Sequence, residues 1–211
     1  MKPSARTFFS TLWTAFLPEN VVLVQAFGFC PILATGITLR YGVALSVCTI
    51  ITLVLADVIF SLFANRLATR LQPLVYVLLA SLLLVGASFG LRFIFIDTPA
   101  LLYLFLPLMA VNTLYVYRST IMPTAHRGIW LTLADSLGSA LGFSLVLCVA
   151  SALREMAISG TLWGLPLGYA ARFPEAAHPF IGFVLLGFMA ATLQWIKNLW
   201  RRRDSKEVSD L

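Results

Sequence analysis

Val24-Gln25-Ala26-Phe27-Gly28-Phe29-Cys30-Pro31 sits inside the first long apolar segment, which opens after Pro18-Glu19-Asn20. A helix starting near Asn20 reaches Cys30 after roughly 15 Å of rise. A bilayer's hydrocarbon core is about 30 Å thick, so the thiol falls near the midplane. Pro31 donates no backbone hydrogen bond and disfavours helical geometry at Cys30, which predicts a helix interrupted there. Such a break needs protein neighbours or a lined cavity for the freed backbone groups. Two readings follow from these residues: a kinked packing helix with an inert buried thiol, or a discontinuous helix presenting a ligand at mid-membrane.

The composition around this stretch sets the class. Of the 211 residues, 60% are apolar and 11% charged, and the mean hydropathy is +0.91. A soluble domain of this size has no use for so much hydrocarbon, so the chain reads as a polytopic membrane protein. The net charge of +6 is scattered between apolar segments rather than gathered into a nucleic-acid footprint. Cys30, Cys48 and Cys148 all lie within apolar segments, without a Cys-x-x-Cys motif or a secreted disulfide framework. His126 and His178 fall in loops, without the neighbours of a metal site or a triad. Residues 1–17 carry Lys2 and Arg6 but no small-residue cleavage site, which argues against a signal peptide. Thr7, Ser10, Thr11 and Thr14 share one face there, opposite Phe8, Phe9, Leu12, Trp13 and Phe16. That pattern predicts an interfacial amphipathic helix.

Six apolar segments follow, at about 20–37, 41–63, 72–95, 101–117, 129–153 and 179–200. The predicted architecture is all-α: residues 1–17 at the interface, a six-helix membrane domain over 18–200, and a basic tail over 201–211. Alternating sides place Lys2, Arg6, Arg66, Arg70, Arg118, Arg127, Lys197, Arg201, Arg202, Arg203 and Lys206 together. Arg40, Arg92, Arg154 and Arg172 fall opposite. That asymmetry predicts cytoplasmic N- and C-termini. Six spans divide into three and three, and similar halves of three spans are inverted relative to each other. Cys30 and Thr113 sit midway along segments one and four, and Gly42/Cys48 matches Gly142/Cys148 in spacing.

Several polar groups lie deeper than loops should. Segment four carries Pro107, Asn112 and Thr113, and an amide in hydrocarbon must find a protein partner. Asp57 and Asp135 are intramembrane carboxylates, which by default mark an ion route or a polar partner. Asp135 can alternatively cap a helix start. Asp57 stands within reach of Arg66 or Arg70 as ion-pair partners. Ala134, Gly138 and Gly142 recur every four residues, as do Gly86 and Gly90, and that spacing lets helices approach closely.

Residues 22–31, Leu106-Pro107-Leu108-Met109-Ala110-Val111-Asn112-Thr113, and 135–143 with Arg154-Glu155 and 160–164 resemble motifs of one family. They are similar, in the same order, to the first, fourth and fifth helices of the integral subunits of Rnf and Nqr electron-transport complexes. A cytoplasmic N-terminus favours the RnfE/NqrD type over its oppositely inserted RnfA/NqrE-type sister. The resemblance implies six helices in two inverted three-helix repeats, with helices 1 and 4 broken, in a bacterial inner membrane. It implies a 2Fe–2S cluster held between sister subunits by one cysteine from each broken helix. Cys30, framed by Gly28 and Pro31, matches the first ligand. Asn112 precedes the second, where this sequence has Thr113, whose neutral hydroxyl is a poor iron ligand beside a thiolate.

The function so implied is a membrane subunit coupling electron transfer to Na⁺ or H⁺ translocation, beside partners that carry flavin and further iron–sulfur clusters. No nucleotide fingerprint or flavin-attachment motif is present, so the chain is not a complete oxidoreductase. The alternatives are a redox-silent scaffold of the same family, which Thr113 supports, and a stand-alone inverted-repeat transporter using Asp57 and Asp135.

Overall fold

The computed structural model describes residues 5–94, 109, 112–121, 129–166 and 173–209. Pro107, His126, Arg127, Arg172 and most of the predicted fourth segment lie outside them. The described residues form α1 (Ala5–Phe16), α2 (Phe29–Thr35), α3 (Leu39–Phe63), α4 (Gln72–Ile94), α5 (Thr113–Ile121), α6 (Ile129–Ser159) and α7 (Pro179–Ser209). Thr161–Leu162 and Leu165–Pro166 pair as a small antiparallel hairpin. Trp163 and Gly164 have φ of 59° and 79°, the two positive angles of a type I′ turn.

Lipid offers the backbone no hydrogen-bond partners, so long apolar runs become helices. Four described helices are long and apolar enough to cross a bilayer: Leu39–Phe63, Gln72–Gly90, Ile129–Ser159 and Pro179–Leu199. Their apolar cores are 56%, 17%, 61% and 11% buried in that order, so α3 and α6 form the centre and α4 and α7 the sheath. The central pair cross closely at Gly42, where a Cβ would stand 2.5 Å from Ser151 Oγ and 3.6 Å from the Leu147 carbonyl. Only a residue without a side chain admits that approach. α7 continues as helix through Arg201-Arg202-Arg203 to Ser209.

The small-residue stripe of α6 receives α1. A Cβ on Gly138 would meet the Leu12 carbonyl at 2.5 Å and Ala15 Cβ at 2.8 Å; on Gly142 it would meet the Phe16 carbonyl at 2.7 Å. Further along α6, Phe143 faces Gly28, and Arg154 reaches the carbonyls of Ile32 and Leu33 in α2. The chain from α1 to α2 therefore climbs beside α6, and its non-helical stretch falls level with Gly142 and Phe143, near the middle of that helix. The other stripe behaves differently: Gly86 and Gly90 on α4 have nothing among the described residues within 4 Å of an added Cβ.

Segment one is interrupted, as expected over 20–37, but the interruption lies before Cys30 rather than at it. Residues 17–28 are turns and irregular chain, and helix resumes only at Phe29. Asn20 organises the turn: its Oδ1 accepts the backbone N–H groups of Val22 and Leu23 at 2.9 and 3.1 Å. Its Nδ2 donates to the Phe16 carbonyl at 3.0 Å, at the end of α1. Pro31 is not the breaker. It occupies the first turn of α2, where a missing N–H removes no helical hydrogen bond. The break lies before it, at Ala26 (φ 60°) and Gly28 (φ 85°).

Candidate functional site

Three aromatic rings fix the turn that carries the thiol. Phe27 stacks on Tyr117 of α5, with centroids 4.4 Å apart. Phe29 meets Phe183 of α7 edge-on at 6.5 Å. Between them, Gly28 lies against Phe143 of α6, where a Cβ would stand 2.9 Å from the ring. Left-handed φ and lack of room both demand glycine at this position. Cys30 follows at the start of α2 and is exposed on the surface of the chain.

The two motifs expected to share a site do meet. Asn112 is buried, and its Nδ2 lies 3.9 Å from where a Gly28 Cβ would be. That amide also donates to Met109 Sδ at 3.8 Å. The Asn112 carbonyl starts α5 by accepting Tyr115 N–H and Val116 N–H at 3.0 and 3.1 Å. Pro31 is buried behind Cys30. Thr113 is the first residue of α5, and its side chain lies outside the described part. The remaining thiols are elsewhere: Cys48 is buried in α3, and Cys148 is 3.5 Å from Ser46 Oγ.

Asp57 and Asp135 do come together, through a residue the sequence placed in a loop. Arg118 of α5 donates from Nε and Nη2 to Asp57 Oδ2 at 3.1 and 2.8 Å, and from Nη1 to Asp135 Oδ2 at 2.7 Å. Tyr76 of α4 donates to Asp57 Oδ1 at 2.6 Å, and Ser136 of α6 to Oδ2 at 2.5 Å. The expected pairing of Asp57 with Arg66 or Arg70 is therefore replaced by Arg118. Asp135 is not a helix cap either; it lies within α6, six residues beyond Ile129. Both carboxylates sit roughly 9 Å inside their helices, from the same end of the bundle. A carboxylate at that depth needs a cation and hydroxyl donors. Tyr76 of α4, Arg118 of α5 and Ser136 of α6 supply them to Asp57 of α3, so this cluster fastens four helices together. The signal that could have found Arg118 is charge balance: two sunken carboxylates require a guanidinium at the same depth.

A second polar cluster holds the other end of α6. Arg154, counted in the sequence as a loop cation, is 1% exposed. It donates to the carbonyls of Ile32 at 3.3 Å, Leu33 at 3.0 Å, Ala176 at 3.1 Å and Ala177 at 2.8 Å. Glu155 accepts the Leu39 N–H at 2.7 Å, the Thr161 hydroxyl at 3.2 Å and the Gly164 N–H at 2.9 Å. Arg154 thus serves the C-terminal end of α2, and Glu155 the N-terminal end of α3 and the hairpin. Lys197 of α7 donates to the Pro18 carbonyl just beyond α1. The C-terminal ends of α1 and α2 thereby face cations, as the helix dipole favours.

A family model described as "Rnf-Nqr subunit, membrane protein" matches residues 8–194. The chain is 32% identical over 209 residues to the E subunit of the ion-translocating oxidoreductase complex of Thioalkalivibrio sulfidiphilus, covering 92% of this chain and 91% of that protein. It is 27% identical over 194 residues to the E subunit of the Na⁺-translocating ferredoxin:NAD⁺ oxidoreductase complex of Acetobacterium woodii, covering 89% and 96%. The ion-translocating oxidoreductase protein of the same type from Edwardsiella ictaluri is 27% identical over 221 residues, covering 98% and 92%. With a match over most of its length, the chain belongs to the Rnf-Nqr family of membrane subunits.

Proposed function

We propose that the chain is the RnfE/NqrD-type membrane subunit of an Rnf-type complex coupling electron transfer to Na⁺ or H⁺ translocation. It sits in a bacterial inner membrane with both termini cytoplasmic, the orientation its basic residues favour. Its partners are an RnfA/NqrE-type sister subunit and further subunits bearing flavin and iron–sulfur groups. In this reading α1, packed on α6 rather than lying at the interface as its sequence suggested, forms span one together with α2, and α5 is the second half of span four, in two inverted three-helix repeats. The lengths support it: 12 and 7 residues rise about 18 and 10 Å, together close to one hydrocarbon core. The observation that carries the proposal is the exposed thiol of Cys30 at a rigid break, level with the middle of α6. A sister subunit is the partner suited to that surface.

The donors do not fit an ordinary 2Fe–2S cluster shared equally with the sister. Four thiolates are needed. Cys30 supplies one, Thr113 stands where the second belongs, and Cys48 and Cys148 are held in α3 and α6. No electron-transfer step is therefore assigned to this chain, and its part in the complex is a scaffold that seats the sister subunit around the break. A stand-alone transporter using Asp57 and Asp135 is less well supported, because Arg118 binds both carboxylates.

Purification of the tagged chain from native membranes, with protein identification and iron quantification, tests the proposal. Sister and flavin-bearing subunits are expected to co-purify, Cys30→Ala to leave iron unchanged, and Thr113→Cys to raise it. Purification of the chain alone with ion-transport activity would overturn membership of the complex. Iron lost on Cys30→Ala would overturn the scaffold role.

A further inference from the structure

We propose that Arg154 is the positioning residue for the Cys30 surface: it holds α2 at its C-terminal end and so sets where the thiol stands. The proposal rests on the reading that this surface meets the sister subunit. α2 has seven residues, too few to persist as an isolated helix. Its last carbonyls have no partners within the helix. Ile32 and Leu33 are buried, so water does not replace those partners. Gly36 N–H returns to the Ile32 carbonyl at 3.1 Å, and the guanidinium of Arg154 takes Ile32 again together with Leu33.

Arg154 is itself fixed. Its other two hydrogen bonds reach Ala176 and Ala177, in the turn that leads into α7. Gly182 of α7 closes over the contact, with a hypothetical Cβ 2.6 Å from Leu33 Cδ2 and 3.6 Å from Arg154 Nη1. One buried cation therefore ties α2 to α6 and to the start of α7. Cys30 is only two residues before Ile32, roughly 3 Å of helical rise, so a displacement at the anchored end is carried to the thiol. A lysine cannot reproduce this: its single ammonium does not present the guanidinium's fixed planar fork to carbonyls on two separate segments. Glu155, one residue on, serves other segments: its hydrogen bonds go to Leu39, Thr161 and Gly164.

The test is N-ethylmaleimide labelling of the assembled complex in native membranes, read separately on the peptides carrying Cys30, Cys48 and Cys148. In Arg154→Gln, labelling of Cys30 is expected to rise roughly tenfold, the scale of losing hydrogen bonds to a charged group. Cys48 and Cys148 should stay within about twofold of their rates in the unmodified chain. Arg154→Lys should give a smaller rise, and Glu155→Gln should leave Cys30 unchanged. An unaltered Cys30 rate in Arg154→Gln would overturn the proposal. So would a parallel rise at all three cysteines, which marks general unfolding, or an equal rise in Glu155→Gln. Iron does not enter this readout, so it fails or succeeds independently of the complex's metal content. Loss of the co-purifying sister from the unmodified chain speaks instead against the proposed function.

Discussion

Asp57 shows how much one side chain can carry in this chain. It is fully buried and accepts from Arg118, Tyr76 and Ser136, so its charge is compensated from three other helices. Removing one partner of a buried pair leaves the other charge stranded, which typically costs about 3–5 kcal/mol. Arg118→Ala is therefore expected to reduce accumulation sharply and lower the melting temperature in detergent. Asp135→Asn should cost distinctly less, because the Asp135 side chain retains 21% exposure and Arg118 keeps Asp57. Equal losses in the two variants would show that the cluster is not centred on Asp57. At Gly28 the constraint is steric. Gly28→Ala combines a φ of 85° with a 2.9 Å approach to Phe143, an expected loss of about 1–3 kcal/mol. A melting temperature unchanged by that variant would mean the turn can move away from the ring.

At the scale of elements, α1 depends on the small-residue face of α6. Leu12, Ala15 and Phe16 lie against Gly138 and Gly142 at distances that exclude any side chain. Gly138→Leu should expel α1 from this groove while α3 and α6, which meet on another face at Gly42, remain packed. Limited proteolysis checks this: cleavage between α1 and Asn20 should accelerate, with cleavage at the 161–166 hairpin unchanged. Protection equal to that of the unmodified chain would refute the packing role. The amphipathic pattern of residues 1–17 told where polar and apolar faces lie, but not which apolar surface would receive them. Phe9 and Trp13 remain exposed on the far side of α1, available to lipid or to another subunit.

For the whole molecule, α3 and α6 form an inner pair and the more lipid-accessible α4 and α7 an outer layer, fastened at two depths. The Asp57–Arg118–Asp135 cluster ties one end, and Arg154 with Glu155 ties the other. The basic asymmetry predicts that Arg201, Arg202 and Arg203, at the end of α7, lie in the cytoplasm. Single cysteines placed there should react with a membrane-impermeant maleimide only in inverted vesicles. Reaction in intact cells would reverse the topology.

Sequence alone was enough for the membrane class, the positions of the four long described helices and the presence of a break near Cys30, although it assigned that break to Pro31 rather than to Ala26 and Gly28. Apolar run length and special backbone residues are local properties, readable without knowing any neighbour. It also located the stripe at Gly138 and Gly142, and the buried carboxylates as groups in need of partners. Which partners they found was decided by tertiary structure. Arg118 stands 61 residues from Asp57, and Arg154 stands 121 residues from Leu33. A small-residue stripe specifies how closely a helix approaches, not which helix. A sunken charge specifies that a counter-charge exists, not where along the chain it lies. Those choices depend on which helices are adjacent and at what depth, and only the packed bundle fixes both.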